Sequence, residues 1–336
     1  MSIDLLLRSS KKPSSKQIEE VIKPLGWHRE VFVKGYHNPS YRWFQTKNHE
    51  STRGCWLFIY APESTGLDTA RTVFHAYSNA GRSYEDLEAQ NNVIRALRQK
   101  FTGSLENSET GKNSYLPNDI TRLSPAEKAC GYAYLHFQHN LGRASMSIQD
   151  IDKQHIKLSK LMPYAFTMHP GVVRNNILLP FLVAILEALL KDFFIAYIDS
   201  HPAIQDRIYE KKSKVDYVVL KQLMKNEKTI AQIESSEYSF QNLLSAHTAY
   251  RNYIGIDLFQ ILNRRIKFEK RFYVIRNVLQ EMISLRHDVI HGANVHIHLD
   301  KNQICLYLNV LERFGASFEN IFLKGKNFKF NLERWI

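Results

Sequence analysis

Cysteine is scarce in this chain of 336 residues: Cys55, Cys130 and Cys305 are the only three, far apart and without a CxxC pair. An odd, scattered set frames neither a disulfide scaffold nor a zinc knuckle, and reduced thiols in a cytosol are the simplest account. Glycine, at 14, and proline, at 10, are also few; with a hydrophobic content of 44% this argues a globular chain and excludes a disordered one. No P-loop, GxGxxG fingerprint or nucleophile elbow occurs, so nothing supports ATP hydrolysis, hydride transfer or an α/β-hydrolase. The start, Met1 to Arg8, carries an early acid, Asp4, and too little apolar length for a secretory signal. The expectation is a cytoplasmic protein.

An uninterrupted membrane-length apolar run is lacking as well. The closest approach, Ile177 to Ile198, contains Pro180, Glu187, Lys191 and Asp192. Each mid-span charge costs ~2.5–3.5 kcal/mol on insertion scales, which erases most of the apolar gain. This stretch reads as a buried helix of a helical domain, with no membrane partner.

What is present in excess is positive charge, +12 with a pI near 9.4. Such a balance favours a polyanionic partner through long-range attraction and counterion release. It permits a nucleic-acid function without specifying one.

Residues 1–145 read as an α+β domain with a small, largely antiparallel sheet. Ser14 and Gln17 have capping-box spacing for a short helix. Strands are expected at Glu30–Lys34 and Tyr41–Gln45, joined by a loop containing His37 to Ser40, and at Cys55–Ala61 beside Arg71–Tyr77. The Cys55 strand is apolar enough to be central. Ser83 and Asp86 open a helix running to about Phe101, residues 102–119 form a long surface loop, and Ser124, Pro125 and Glu127 start another helix that stops near Gly142. Tyr41, Arg42, Trp43 and Phe44 mix cations with aromatics, as single-strand binders do and as half-buried strands do more commonly. The role expected of this domain is to sense a trigger or select a substrate.

From residue 146 to 336 the pattern is mostly helical. Residues 150–161 suit a linker helix, and His169, Pro170 and Gly171 break the chain before the apolar run. Helices are expected at Ser239–Tyr253 and Ile256–Arg264. The long amphipathic stretch Phe268–Leu285 follows, with Phe272, Ile275, Val278, Leu279, Met282 and Ile283 at helical spacing. It ends in Leu285, Arg286, His287, Asp288, Val289, Ile290, His291 and Gly292, where Gly292 offers a helix stop. Beyond it Val295, Ile297 and Leu299 alternate with polar residues, Asp300 to Asn302 read as a turn, and Ile304, Leu306 and Leu308 as a return strand, predicting a β-hairpin directly after the motif.

An imidazole and a guanidinium suffice to cleave RNA through its own 2′-hydroxyl: histidine moves protons near neutral pH, and arginine holds phosphate oxygens with two donors. The Arg286-x4-His291 string, closing a long amphipathic helix, resembles the Arg-x4-6-His signature of the HEPN superfamily, over roughly residues 165–312. The resemblance implies an all-α helical bundle, Arg286 and His291 as catalytic residues, His287 as the polar residue after the arginine, and a homodimer bringing two motifs together. It further implies a metal-independent endoribonuclease, a toxin or anti-phage effector, with His287 and Asp288 positioning the pair and no cofactor. Glu187 has two readings: an ion pair with Lys191 one turn on, or a carboxylate that orients Arg286, as the polar residue on an early helix does in several families of this kind.

RNA is the expected partner, with Arg264 and Arg265, just before the motif helix, and Lys211 and Lys212, in a charged run, as candidate binding residues; a solvated helix surface is the ordinary reading of that run. A regulatory protein or phage trigger would act through the N-terminal domain. His287, His291, His296 and His298 invite a metal, yet there is no HExxH and no carboxylate nearby except Asp288 and Asp300, so none is assigned. The competing class is a non-catalytic helical dimer that binds RNA, a nucleotide or a protein partner.

Overall fold

The computed structural model describes residues 2–30, 39–46, 50–60, 71–148, 167–211 and 216–330. The architecture is α+β and divides into two compact units at Lys128 and Ala129. The change of character expected near residue 145 and this division both fall within one helix.

In the first unit β1 (Ser2–Ser9) is followed by α1 (Ser15–Ile22), a short 3-10 turn at Lys23–Leu25, and then β2 (His28–Arg29), β3 (Ser40–Trp43), β4 (Cys55–Tyr60) and β5 (Thr72–Asn79). Next come α2 (Tyr84–Phe101) and β6 (Ser104–Asn107). The six strands form one antiparallel sheet in the order β2-β3-β4-β5-β1-β6, with Leu57 opposite Ala76 and Leu5 opposite Ala76 on the other side. Alternation sends Leu5, Leu7, Leu57, Ile59, Phe74 and Ala76 to the covered face, where they join Val93, Ile94 and Leu97 in one core. The capping boxes expected at Ser14/Gln17 and Ser83/Asp86 are both made.

One expectation is corrected here. The segment beginning at Thr102 is not all surface loop, since β6 adds to the sheet and Leu116 is buried, held from both sides by the Asn91 amide. The N-terminal Ser2–Ser9 is a strand with Leu5 and Leu7 fully buried. Most of the strand expected at Glu30–Lys34, and the linker helix expected at 150–161, lie outside the described residues.

The second unit takes over within α3 (Pro125–Met146), whose start is capped by Ser124 and Glu127 and which passes straight through Gly142. Then come α4 (Pro170–Asp199), α5 (Pro202–Lys211), α6 (Tyr217–Met224), α7 (Ile230–Ser235) and α8 (Leu243–Ala249). A π-turn at Tyr250–Ile254 and the short α9 (Phe259–Leu262) lead to a hairpin of β7 (Arg265–Phe268) and β8 (Arg271–Val274), and the chain finishes with α10 (Ile275–His291) and α11 (Lys301–Gly325).

The long apolar run is a buried helix: α4 starts with His169 as N-cap and Pro170 in its first turn, and packs on α7, α10 and α11. Phe193 and Phe194 are fully buried, Phe193 against Phe318 and Phe322 of α11 and Phe194 against Tyr250. Each such ring contributes ~1.5–3 kcal/mol of burial, so α4 is the element on which this unit is built. Among the described residues no helix is long and apolar enough to cross a membrane.

The hairpin lies before the motif helix, not after it. Residues 301–308 begin α11, with Asp300 as its N-cap accepting from the Gln303 N–H at 2.8 Å. Ile304, Leu306, Tyr307, Leu308, Val310 and Leu311 are all buried, so this helix is apolar around most of its girth, and that produced the false two-residue alternation. Conversely, Phe268 and Arg271–Val274, read as helix, are strands, and α10 starts only at Ile275.

Candidate functional site

The motif occupies the C-terminal end of α10. Ile275, Val278, Leu279 and Met282 bury one side of that helix against α4 and α11, which leaves its last two turns at the surface. Here His287 and His291, both exposed, lie one turn apart with ring centroids 4.5 Å apart and their planes inclined by 45°. Arg286 is half-buried and, among the described residues, has no hydrogen-bond or ion-pair partner. At about 100° per residue, positions 286 and 291 are about 140° apart around the axis. Arg286 continues the buried stripe, whereas His287 and His291 sit on the open side.

The end of the helix is fixed by its neighbours. The Gly292 N–H donates to the Asp288 carbonyl at 3.0 Å, and a Cβ on Gly292 would come within 2.8 Å of that same oxygen. Ala293 then adopts φ +50, turning the chain out of the helix. The segment that follows is held by two buried asparagines of α4. Asn175 donates to the Leu299 carbonyl at 2.9 Å, and Asn176 both donates to the His296 carbonyl at 3.0 Å and accepts from the His296 N–H at 2.8 Å. His296 Nε2 lies 4.0 Å from the Asp288 carboxylate, so Asp288 faces the clamped segment.

Beside the motif, α8, α9 and α10 enclose a cleft of ≈ 390 Å³. Phe259 stands in its wall, with the His247 ring at 4.5 Å and the Arg276 guanidinium over its face at 5.3 Å. Gln280, Ile283 and Ser284 continue that wall along α10. By helical geometry Arg276, Gln280, Ser284, His287 and His291 fall within an arc of about 80°. The cleft and the two histidines thus share one face of α10.

The remaining candidates are placed as follows. Glu187, in the middle of α4, accepts from Gln241 of the cleft wall at 2.6 Å, in place of the pairing with Lys191 or the contact with Arg286 that the sequence suggested. Arg264 donates to the Gln260 carbonyl and to Ser317 of α11, and Arg265 opens β7. Both lie at the N-terminal end of α10, about 25 Å of helix from His291. Lys211 ends α5, and Lys212 lies outside the described residues. Among the described residues no group of three or more His, Cys, Asp or Glu is placed to hold a metal ion.

Sequence reading did not find the open face of the first unit's sheet. Trp56 stacks on Tyr77 at 5.2 Å, Phe58 on Tyr77 at 5.7 Å, and Arg42 lies over Phe44 and Trp56 at 4.9 and 5.3 Å. In the Tyr41–Phe44 segment Arg42 belongs to this face, while Tyr41 is buried and reaches Glu19. The cations here are paired with acids, Arg8 with Glu106 at 2.9 Å and Arg42 with Glu30 at 3.9 Å, and the His75 Nε2 is hydrogen-bonded to Asp4 at 2.7 Å. The period-two spacing of Trp56, Phe58 and Tyr60 was the signal that could have revealed it.

Comparison with known proteins gives no match among family models, curated proteins or solved structures.

Proposed function

We propose that the chain is a metal-independent endoribonuclease of the HEPN type, a toxin or anti-phage effector acting as a homodimer. The observation that carries this reading is the pair of adjoining, exposed imidazoles His287 and His291 at a helix end whose following segment is clamped by Asn175 and Asn176. Clamping of this kind holds an acid–base group in one geometry, which proton transfer requires.

In the proposed reaction an RNA 2′-hydroxyl gives its proton to an imidazole and its oxygen attacks the adjacent phosphorus. The bond from phosphorus to the 5′-oxygen breaks, and that oxygen takes up a proton. The products are a 2′,3′-cyclic phosphate and a 5′-hydroxyl. His291 performs the proton transfer, Arg286 balances the charge on the phosphorane, and His287 and Asp288 position them. Because Arg286 and His291 lie about 140° apart on one helix, the guanidinium reaching a given His291 comes from the second copy. That angle is also what favours the competing reading, a non-catalytic helical dimer that only binds.

The test is cleavage of a labelled RNA in EDTA by the full chain and by His291→Ala and Arg286→Ala, with end-group analysis. Metal-free cleavage to cyclic-phosphate ends that both substitutions reduce at least a hundredfold supports the reading. Absence of cleavage by the purified dimer, with any toxicity on expression unchanged by both substitutions, overturns it.

A further inference from the structure

We propose that the β7–β8 hairpin and the open face of α10 form a track for single-stranded RNA, running through the Phe259–Arg276 cleft to His287 and His291; it rests on the nuclease reading for the end at which the RNA is cut.

The hairpin supplies the first part. Its register puts Lys267 opposite Phe272 and Arg265 opposite Val274, so Arg265, Lys267 and Phe272 share one face. Phe272 is 70% exposed, a large ring left in water beside two cations. Residues 264–276 contain a single acid, Glu269, among Arg264, Arg265, Lys267, Lys270, Arg271 and Arg276. Among the described residues none of these cations is in an ion pair, in contrast to the paired cations of the first unit's aromatic face. Unpaired cations around an exposed ring are the arrangement that takes phosphates and a stacked base together.

The cleft supplies the second. Its volume of ≈ 390 Å³ lies in the range of small-ligand pockets. Leu244, 62% exposed, and Ile283 give it apolar walls, while Gln280 and Ser284 offer donors and acceptors to a base edge. The Asn242 Oδ1 is committed to the Leu244 and Ser245 N–H groups at 3.0 Å each, which leaves its amide N–H groups to donate. Arg276 can meet a phosphate without leaving Phe259, because a guanidinium stacks through its face and donates through its edge.

The open face of α10 connects the parts. From Arg276 to His291 it runs about 22 Å, long enough for several nucleotides of a single strand.

The experiment is fluorescence anisotropy of a fluorescein-labelled ten-nucleotide RNA with the full chain carrying His291→Ala, so that nothing is cut during the measurement. The double variant Lys267→Gln/Arg276→Gln is expected to raise Kd about tenfold and to lower the slope of log Kd against log salt by about 1.4, at ~0.7 per lost phosphate contact. Phe272→Ser is expected to raise Kd at least about fivefold through lost stacking. Lys225→Gln, on the separate charged segment, is expected to change neither. All four side chains are exposed and the variants are expected to keep the parent's circular dichroism and melting temperature.

Unchanged Kd and slope in the track variants overturn the track, as does an equal loss in Lys225→Gln, which reports net charge alone. Tight binding of AMP with none of the oligomer also overturns it, and marks a mononucleotide site. If the track variants lose RNA and the wild type cuts none, the track stands and the nuclease reading falls. If the same track substitutions, made in the chain that keeps His291, cut RNA with wild-type KM and kcat, the nuclease stands and the track falls.

Discussion

The side-chain amide of Asn176 grips the backbone of His296 at both ends, donating to its carbonyl at 3.0 Å and accepting from its N–H at 2.8 Å. The same Nδ2 also donates to the Val172 carbonyl of its own helix at 2.9 Å, so one buried side chain joins the start of α4 to the segment behind the motif.

Asn176→Ala leaves those buried groups without partners, and the expected loss of stability is ~1–3 kcal/mol. Urea unfolding followed by circular dichroism measures it. Asn176→Asp keeps the acceptor but sets a buried carboxylate oxygen against the Val172 and His296 carbonyls, so a loss at least as large as that of alanine is expected; a smaller loss counts against the two-ended grip.

The proposed sharing of a site between copies has a direct consequence for mixtures. His291→Ala and Arg286→Ala are each expected to be inactive alone, and a refolded equimolar mixture is expected to regain a measurable part of wild-type cleavage, because a mixed dimer carries one intact pair. Cleavage at the level of the separate variants after demonstrated subunit exchange excludes the shared site.

The three thiols are expected to differ sharply in reactivity. Cys55 is fully buried with its S–H donating to the Asp86 carbonyl at 2.8 Å, and burial pushes its thiol well above the usual range. Burial also raises the Cys130 thiol, while Cys305 is partly exposed. A raised thiol pKa means less thiolate at any given pH, and the thiolate is the reacting form. Ellman's reagent at pH 8 is expected to titrate one thiol per native chain and all three in guanidinium. Fast reaction of Cys55 or Cys130 in the native chain contradicts the burial.

Two helical glycines are expected to respond with opposite signs. At Gly315 of α11 a Cβ would stand 2.3 Å from the Phe137 ring of α3, so Gly315→Ala is expected to cost ~1–3 kcal/mol by overpacking. At Gly142 of α3 an added Cβ meets nothing within 4 Å, and Gly142→Ala is expected to gain ~0.5–1 kcal/mol in helix propensity. Paired melting curves decide the matter, and equal signs refute the close approach of α3 and α11 at Gly315.

Local chemistry made part of this fold legible. Ser83 with Asp86, and Ser124 with Glu127, announce their helices because the partners stand three residues apart in the chain. The rest of Asp86's environment could not be read so. Ser51 donates to its carboxylate at 2.6 Å, and the Arg53 and Gly54 N–H groups at 3.1 Å each, from more than thirty residues upstream. The β7–β8 hairpin was missed for a related reason: its turn places Glu269 at φ +52, a conformation ordinarily marked by glycine or asparagine. Arg286 and His291 were visible as a spacing, but the 100° step that sets them on different sides of α10 follows only once the helix is known to run unbroken to His291.

The asparagine clamp ties the motif to a part of the chain 120 residues earlier. Bringing those segments together carries a loop-closure cost of roughly 4 kcal/mol, which α4 must offset by docking first. The motif's end therefore depends on contacts of high sequence separation, the kind that slows folding. A chain cut short before Phe318 keeps Arg286 and His291 in sequence and loses the aromatic packing between α4 and α11 that stands behind them.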